Sequence, residues 1–442
     1  MAENSHSSDT GLKKTLGPVM LWGLGVGYVI SGEYFGWNLG LPEGGTYGML
    51  AATVLITIMY VTFVFSYVEL ACAMPKAGGA FVYATRALGP FGGCVAGFVQ
   101  VIEFVFAPPA IAMAIAAYVH QRFDVVDPIV IAIISYLMFT ALNVWGVKQA
   151  AIFELAVTIL AVGELLVFFA IVGPEFQLVE FQKEALPNGW GGVFACLPFA
   201  IWFYLAIEGV ANAAEETRDP QRNVAIGFSA SMITLVVLAI GVFFLACGVD
   251  GWRSIVFEPG STEPSDAPLP LALALVVEKT SIWYTLLLGV GLLGLIASFH
   301  GIILAAGRAT MELGRSEIFP AILGKVHPKT GTPIAALCFN LVVGVIAILS
   351  GKTGEIITLA CLGAVALYII SMISLFVLRR TEPDLERPFR AVAYPFFPAV
   401  ACGIALLSLV AISYYNPMIC AIFFGLIGAG CLYFVLAQKK ST

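Results

Sequence analysis

The sequence predicts an all-α polytopic membrane protein of about twelve transmembrane helices, on three observations. Of its 442 residues, 60% are hydrophobic and only 11% are charged, where a soluble protein carries about 25% charged residues. Apolar runs of about 20 residues, enough to span the roughly 30 Å hydrocarbon layer, recur along the whole chain. The basic residues are also sorted between alternate loops. With the amino terminus in the cytoplasm, only Arg122, Lys183, Arg253, Lys279 and Lys352 fall outside, which leaves 22 minus 5, or 17, inside. The positive-inside rule demands this asymmetry, and it puts both termini on the cytoplasmic side of a plasma (inner) membrane.

Residues 1–15, "MAENSHSSDTGLKKT", are polar and lack the apolar core and cleavage site of a signal peptide, so they read as a cytoplasmic tail. Spans are expected at 16–40, 48–73, 91–119, 127–146, 150–173, 190–211, 223–248, 281–307, 332–350, 354–378, 395–414 and 416–437. "LPLALALVVEK", 269–279, is too short to cross and is expected to form an extracellular loop helix lying on the protein. "FEPGSTEPSDAP" just before it is irregular by composition. The cytoplasmic links are short joints, so no soluble catalytic module is expected. Nine cysteines without a CxxC pair argue against disulfide or zinc frameworks. No metal or cofactor is expected, and a net charge of -6 argues against nucleic acid as a partner.

Charges inside the spans are the sharper signal, because an ionised side chain at the bilayer centre costs at least about 2.5 kcal/mol. Six stand out: Glu33 in the first span, Glu69 in the second, Glu103 in the third, Glu154 and Glu164 in the fifth, and Glu208 in the sixth. All are acids, and no Lys or Arg lies at a similar depth. Glu69 and Glu154 lie near span ends and are expected to pair with cytoplasmic Lys or Arg, Glu154 following closely on Lys148. For Glu164 a hydrogen bond to a neighbouring helix and a functional role weigh evenly. Glu33 and Glu103 are deeper, beside helix-disrupting residues, and favour a site for a cationic solute.

The first and sixth spans each carry an interruption next to an acid, "ISGE" and "FAIWFYLAIEGV". They are five spans apart. A repeat of five spans must run inverted in its second copy, so the two interruptions meet near the midplane. The organisation expected is a tail (1–15), a first five-helix repeat (16–173), an inverted second repeat (190–378) and two additional helices (391–437).

"PKAGGAFVYATRALGP", "IEGVANAAEETRDPQRNVAIGF" and "RSEIFPAILGKVHPKTGTP" resemble the loop after the second helix, the sixth helix with its following loop, and the loop after the eighth helix of amino acid/polyamine/organocation permeases. "WGLGVGYVISGEYFGWNLG" and "IEFVFAPPAIAMAIAAY" are similar to the ethanolamine permease subgroup of that family. The resemblance implies a LeuT-like fold with an inverted five-plus-five core and discontinuous helices 1 and 6. Amino acid carriers of the family usually read Gly-Ser-Gly-Ile-Phe where this chain has Ile30, Ser31, Gly32, Glu33 and Tyr34. They commonly read Gly-Phe-Glu where it has Ala206, Ile207 and Glu208. In such carriers the amides after the first break hold the substrate carboxylate, as the positive end of a helix should.

Glu33 then falls where that carboxylate would sit, in the first turn after the break. An anion built into the chain would suit a substrate with an ammonium and a small polar tail, such as ethanolamine. Trp202, Phe203, Tyr204 and Tyr34 would offer aromatic faces worth about 0.5–2 kcal/mol each to a cation. Trp202 matches the family's aromatic gate in position. The candidate substrate-binding set is Ile30, Ser31, Gly32, Glu33, Tyr34, Glu103, Trp202, Phe203, Tyr204, Leu205, Ala206 and Glu208, with Phe299 and His300 as pathway residues. A small-molecule amine and the lipid bilayer are the partners expected, with a coupling proton or sodium ion allowed but not required. The alternatives are an amino acid or polyamine exchanger of the same family, an intramembrane enzyme acting on an amine-bearing lipid, and a transporter-like sensor. The enzyme reading lacks a nucleophile or metal cluster.

Overall fold

The computed structural model describes residues 16–76, 78–123, 126–146 and 151–441. The tail 1–15 and Lys148 lie outside the described residues. Among the described residues eight helices are long and apolar enough to cross a membrane, and four apolar helices are shorter, which gives 8 + 4, or twelve. In chain order these are α1 (Pro18–Val29), α2 (Leu41–Ala73), α3 (Gly79–His120), α4 (Pro128–Val144), α5 (Ala151–Val172), α6 (Leu197–Trp202), α7 (Pro220–Cys247), α8 (Ile282–Arg315), α9 (Ile334–Ile348), α10 (Thr353–Thr381), α11 (Phe396–Tyr415) and α12 (Pro417–Ser441). The fold is LeuT-like, and its shortest members, α1 and α6, are the interrupted ones.

Glycines with positive φ punctuate the long helices. Gly45 (φ 61°, ψ -170°) turns the chain between the first and second spans. Gly89 (φ 78°, ψ -177°) separates an initial stretch of α3 from the membrane-crossing part. Past that point α3 runs on through Pro108 and Pro109, and the window of its span is 94% buried, which makes it the central helix of the bundle. At the other extreme α12 shows only 17% burial and presents leucines and aromatics outward, as a lipid-facing helix should. The loop helix forms over Pro268–Ala274 and buries Leu269, Leu271 and Leu273, so it lies on the protein as its sequence predicts.

Two sets of ties position the junction of α1 and α6. On the amino-terminal face the Leu16 N–H donates to the Glu216 carbonyl at 3.0 Å, and the Arg218 N–H donates to the Leu16 carbonyl at 2.9 Å. The amino-terminal end of the first broken helix and the carboxy-terminal end of the sixth are thereby joined by backbone. On the opposite face the loop before α8 is tied at several points. Asn38 donates to the Ser265 carbonyl at 2.8 Å, Gln121 donates to Glu258 at 2.7 Å, and the Thr353 hydroxyl donates to Asp266 at 2.6 Å.

Glu69 behaves as its position near a span end predicts. Only 1% exposed, it accepts from Arg379 Nε at 2.7 Å and Nη2 at 2.5 Å and from the Ala391 N–H at 2.7 Å, and it pairs with Arg387 Nε at 3.0 Å. This holds the α10–α11 link against α2. Glu154 does not behave as expected. Among the described residues no basic side chain pairs with it, and both its oxygens lack a hydrogen-bond partner. It faces α1, where a Cβ on Gly27 would come within 2.7 Å of Oε1.

Candidate functional site

The first helix stays helical through Ile30 (φ -57°, ψ -23°) and the single turn Ser31–Tyr34, and breaks at Phe35 and Gly36. Phe35 is extended, and Gly36 adopts φ 90°, a conformation that favours glycine. A 3-10 turn, Trp37–Gly40, then resumes the path. This corrects the sequence expectation: Glu33 lies in the last turn before the break and not in the first turn after it. A Ser-Gly pair alone does not force a helix apart, whereas a left-handed residue does. The ladder still loosens at the pair, since the Glu33 N–H reaches only three residues back, to the Ile30 carbonyl at 3.0 Å.

The sixth helix breaks after Trp202. The chain turns through Phe203, Tyr204 and Leu205, Ala206 enters the left-handed region (φ 73°, ψ 10°), and a 3-10 helix, Ile207–Glu216, follows. Ala206 stands where the resembling carriers have glycine and keeps the turn glycine would make, at a steric cost of about 1–2 kcal/mol.

The two breaks meet backbone to backbone at Gly32. A Cβ there would come within 2.4 Å of the Trp202 carbonyl oxygen and 3.1 Å of Phe203 Cα. At Gly36 it would strike the Trp202 indole at 2.5 Å. Trp202 therefore closes over the first-helix break, with Phe35 edge-on to it at 5.4 Å between ring centroids. Trp37 stacks on Phe203 at 5.9 Å, Tyr60 lies 5.1 Å from Tyr204, and the Tyr204 hydroxyl meets Thr57 at 2.8 Å. Ile30, Ser31, Glu33, Tyr34, Trp202, Phe203, Tyr204, Leu205, Ala206 and Glu208 are all buried.

A broken helix inside a bilayer must find partners for its freed backbone groups, because no lipid supplies them. Here side chains supply them, some from other helices and some from the turn Trp37–Gly40 that follows the break. Tyr28 O accepts from the Ser298 hydroxyl at 2.8 Å, which also meets Ser31 Oγ at 2.9 Å. Glu33 O accepts from the Trp37 indole at 3.2 Å, and Tyr34 O from the Tyr118 hydroxyl at 3.0 Å. The Gly36 N–H donates to Asn38 Oδ1 at 3.1 Å, and Ile201 O accepts from Tyr60 at 3.3 Å.

Against that background the unsatisfied groups are conspicuous. Both carboxylate oxygens of Glu33, which is 0% exposed, lack a hydrogen-bond partner, and so does Trp202 Nε1. A buried carboxylate with no donor costs several kcal/mol unless it is protonated or met by a cation. An unsatisfied indole N–H is a donor waiting for an acceptor. The junction thus holds one carboxyl group and one indole donor, both buried and both without a hydrogen-bond partner.

Other predicted residues divide between neighbouring sites. Glu103 of α3 is fully buried with neither oxygen hydrogen-bonded, and the Tyr368 hydroxyl donates to Glu208 Oε2 at 3.0 Å. Tyr34 points away from its backbone neighbours to α5, where its hydroxyl lies 2.6 Å from Glu164 Oε2 and 3.1 Å from the Ala161 carbonyl. Glu164 therefore makes an interhelical hydrogen bond, at the floor of a small cavity under the loop helix that Tyr118, Tyr284 and Leu269 also line. Phe299 packs between Tyr136 and Phe139 of α4, and His300 Nδ1 meets Asn143 Nδ2 at 2.9 Å. Both belong to the contact between α8 and α4. Sequence reading passed over Ser298, Tyr118, Asn38 and Tyr60, whose roles arise from helices distant in the chain.

A family model described as "Amino acid permease" matches residues 16–436. An uncharacterized transporter of Rhizobium meliloti (strain 1021) is 29% identical, with 88% of this chain and 83% of that protein covered. The branched-chain amino acid permease BcaP of Bacillus subtilis (strain 168) is 23% identical, over 98% of this chain and 95% of that one. The glutamate/serine transporter AimA of the same organism is 26% identical, over 86% and 74%. Among solved structures, a manganese transporter of Eremococcus coleocola superposes with a TM-score of 0.55 at 14% identity, covering 99% of this chain and 96% of that one, and shows the shared fold. With that fold and that family match, the chain is a multi-pass membrane transporter that belongs to the amino acid permease family of the amino acid/polyamine/organocation superfamily.

Proposed function

We propose that this transporter carries a small organic amine cation, ethanolamine foremost, across the plasma membrane by alternating access, with both termini cytoplasmic. The observation that carries the reading is the Glu33 carboxyl, fully buried at the junction with no donor and no basic partner among the described residues. An amino acid brings its own carboxylate to such a site, and a second buried anion there would repel it. A molecule with an ammonium and a hydroxyl complements what is free: the ammonium meets Glu33, and the hydroxyl oxygen accepts from Trp202 Nε1. Phe35 and Tyr204 complete an aromatic wall of the kind that attracts cations.

Transport follows from the ties at the two faces. The backbone bridge between Leu16 and Glu216 to Arg218 makes the amino-terminal end of the first broken helix and the carboxy-terminal end of the sixth move together, while the loop anchored by Asn38, Gln121 and Thr353 closes the other face. Rocking of this unit against the remaining helices exposes a nearly fixed site to each side in turn. A singly charged substrate gains about 2.3 kcal/mol per 100 mV of inside-negative potential, or roughly fiftyfold accumulation, with no coupling ion required.

A carrier of amino acids is the second reading, favoured by the names of the relatives. Counterflow in proteoliposomes loaded with unlabelled ethanolamine decides between them. The amine reading expects exchange with external labelled ethanolamine that excess leucine, glutamate and serine leave unchanged. Counterflow driven by those amino acids and not by ethanolamine would replace it with the second reading.

A further inference from the structure

Under the loop helix Pro268–Ala274 lies a cavity separate from the junction. Glu164 and Phe168 of α5, Tyr118 of α3, Tyr284 of α8, and Leu269 and Pro270 of the loop helix enclose it, and no residue of α6 or α10 lines it. Its free space is about that of one water molecule, which is also about the size of an ammonium head. A cavity lined by apolar groups alone stays dry and needs no occupant. This one carries two polar groups that the fold leaves open. Tyr284 is only 1% exposed, and its hydroxyl has no hydrogen-bond partner. Glu164, 8% exposed, accepts from the Tyr34 hydroxyl at 2.6 Å through Oε2, and no Lys or Arg of the described residues pairs with it. That distance is typical of a hydroxyl donating to a charged oxygen.

Tyr34 links this cavity to the junction. Its carbonyl accepts from Tyr118 at 3.0 Å, its hydroxyl reaches Glu164, and its ring lies along α8, where a Cβ on Gly294 would come within 2.9 Å of it and one on Gly291 within 3.2 Å. The same residue ends the last turn before the first-helix break. We infer that the cavity is an outer subsite for a primary ammonium group, entered from the loop-helix face before the junction is reached. An ammonium brings N–H donors and no acceptor, which suits the Glu164 carboxylate and the open Tyr284 hydroxyl oxygen. The aromatic residues Tyr118, Phe168 and Tyr284 line the same space, and aromatic faces attract a cation. A solute with its own carboxylate meets Glu164 as a like charge, so the subsite favours amines that lack an acid group. This deepens the amine reading and rests on it.

Two substitutions separate charge from packing. In Glu164→Gln the side chain still accepts from the Tyr34 hydroxyl, and only the charge is lost. Tyr284→Phe removes a hydroxyl that has no protein partner, so it decides the matter alone if Glu164→Gln fails to fold. Influx of labelled ethanolamine is measured in sealed membrane vesicles of both orientations. With the loop helix on the outside of the vesicle, KM should rise about tenfold in Glu164→Gln and about threefold in Tyr284→Phe, while the maximal rate stays within about twofold of wild type. With the loop helix inside, KM should keep its wild-type value. A wild-type KM in either folded variant with the loop helix outside overturns the subsite, and it leaves the amine reading standing because wild type still carries ethanolamine. Equal KM shifts in both orientations also overturn it, since a change at the junction acts from either side. Absence of ethanolamine influx in wild type removes the amine reading and the subsite with it.

Discussion

At Gly32 the two broken helices touch with no side chain between them, and one added methyl group probes whether that closeness matters. In Gly32→Ala the new Cβ stands 2.4 Å from the Trp202 carbonyl oxygen, while ordinary contact begins at 3.4 Å. The helices must separate by 3.4 minus 2.4, or about 1.0 Å, since a backbone carbonyl cannot swing aside as a side chain can. Overpacking of this kind costs about 1–3 kcal/mol. A 1 Å misplacement of a positioned group costs roughly 10²-fold in rate where geometry is critical. Uptake per folded molecule should therefore fall about 100-fold in proteoliposomes, with expression close to normal. Gly403→Ala is the matched control, because its Cβ meets nothing within 4 Å and uptake should be unchanged. Wild-type uptake by Gly32→Ala would refute the reasoning that the junction works only at backbone contact.

Ala206→Gly should relieve the left-handed strain and raise thermal stability in detergent by the equivalent of about 1 kcal/mol, with unaltered substrate preference. Glu69→Ala leaves Arg379 and Arg387 without their buried partner and should cost about 3–5 kcal/mol in thermal unfolding, more than a combined exchange of the acid and Arg379 for apolar residues. Asp266, beside the Thr353 hydroxyl, is pushed up to about 6 by burial, which the hydroxyl opposes. A folded-state value above the unfolded one means the native state binds that proton more tightly. Its contribution is therefore present at about pH 4 and is lost as pH rises through about 6. Asp266→Asn should flatten that part of the stability profile measured between pH 4.5 and 7.5.

The membrane architecture is legible because run length and basic-residue placement are local properties: the expected span at 354–378 becomes Thr353–Thr381, and the one at 223–248 becomes Pro220–Cys247. The first-helix break is less so. "ISG" looks like the weak point, but serine and glycine tolerate helical angles, and the geometry that ends the segment is the positive φ at Gly36, four residues further on. Glu154 misleads for a related reason. A lysine close in sequence suggests a partner, yet α5 turns that acid inward against Gly27. Hydrogen bonds such as Ser298 to Tyr28 and Tyr118 to Tyr34 join residues 270 and 84 positions apart. No periodicity within one segment encodes them. The acids themselves were visible, since a charge in an apolar run is conspicuous whatever surrounds it.

Amine transport as proposed requires the Glu33 carboxylate to be the counter-ion of the bound amine. Its direct test is equilibrium binding of labelled ethanolamine to purified protein, wild type against Glu33→Gln. A hydrogen bond to a charged group contributes about 1.5–3 kcal/mol, so the exchange should weaken binding by roughly 10- to 150-fold in Kd while the protein stays folded. Saturable binding of equal affinity in the two proteins would contradict the account.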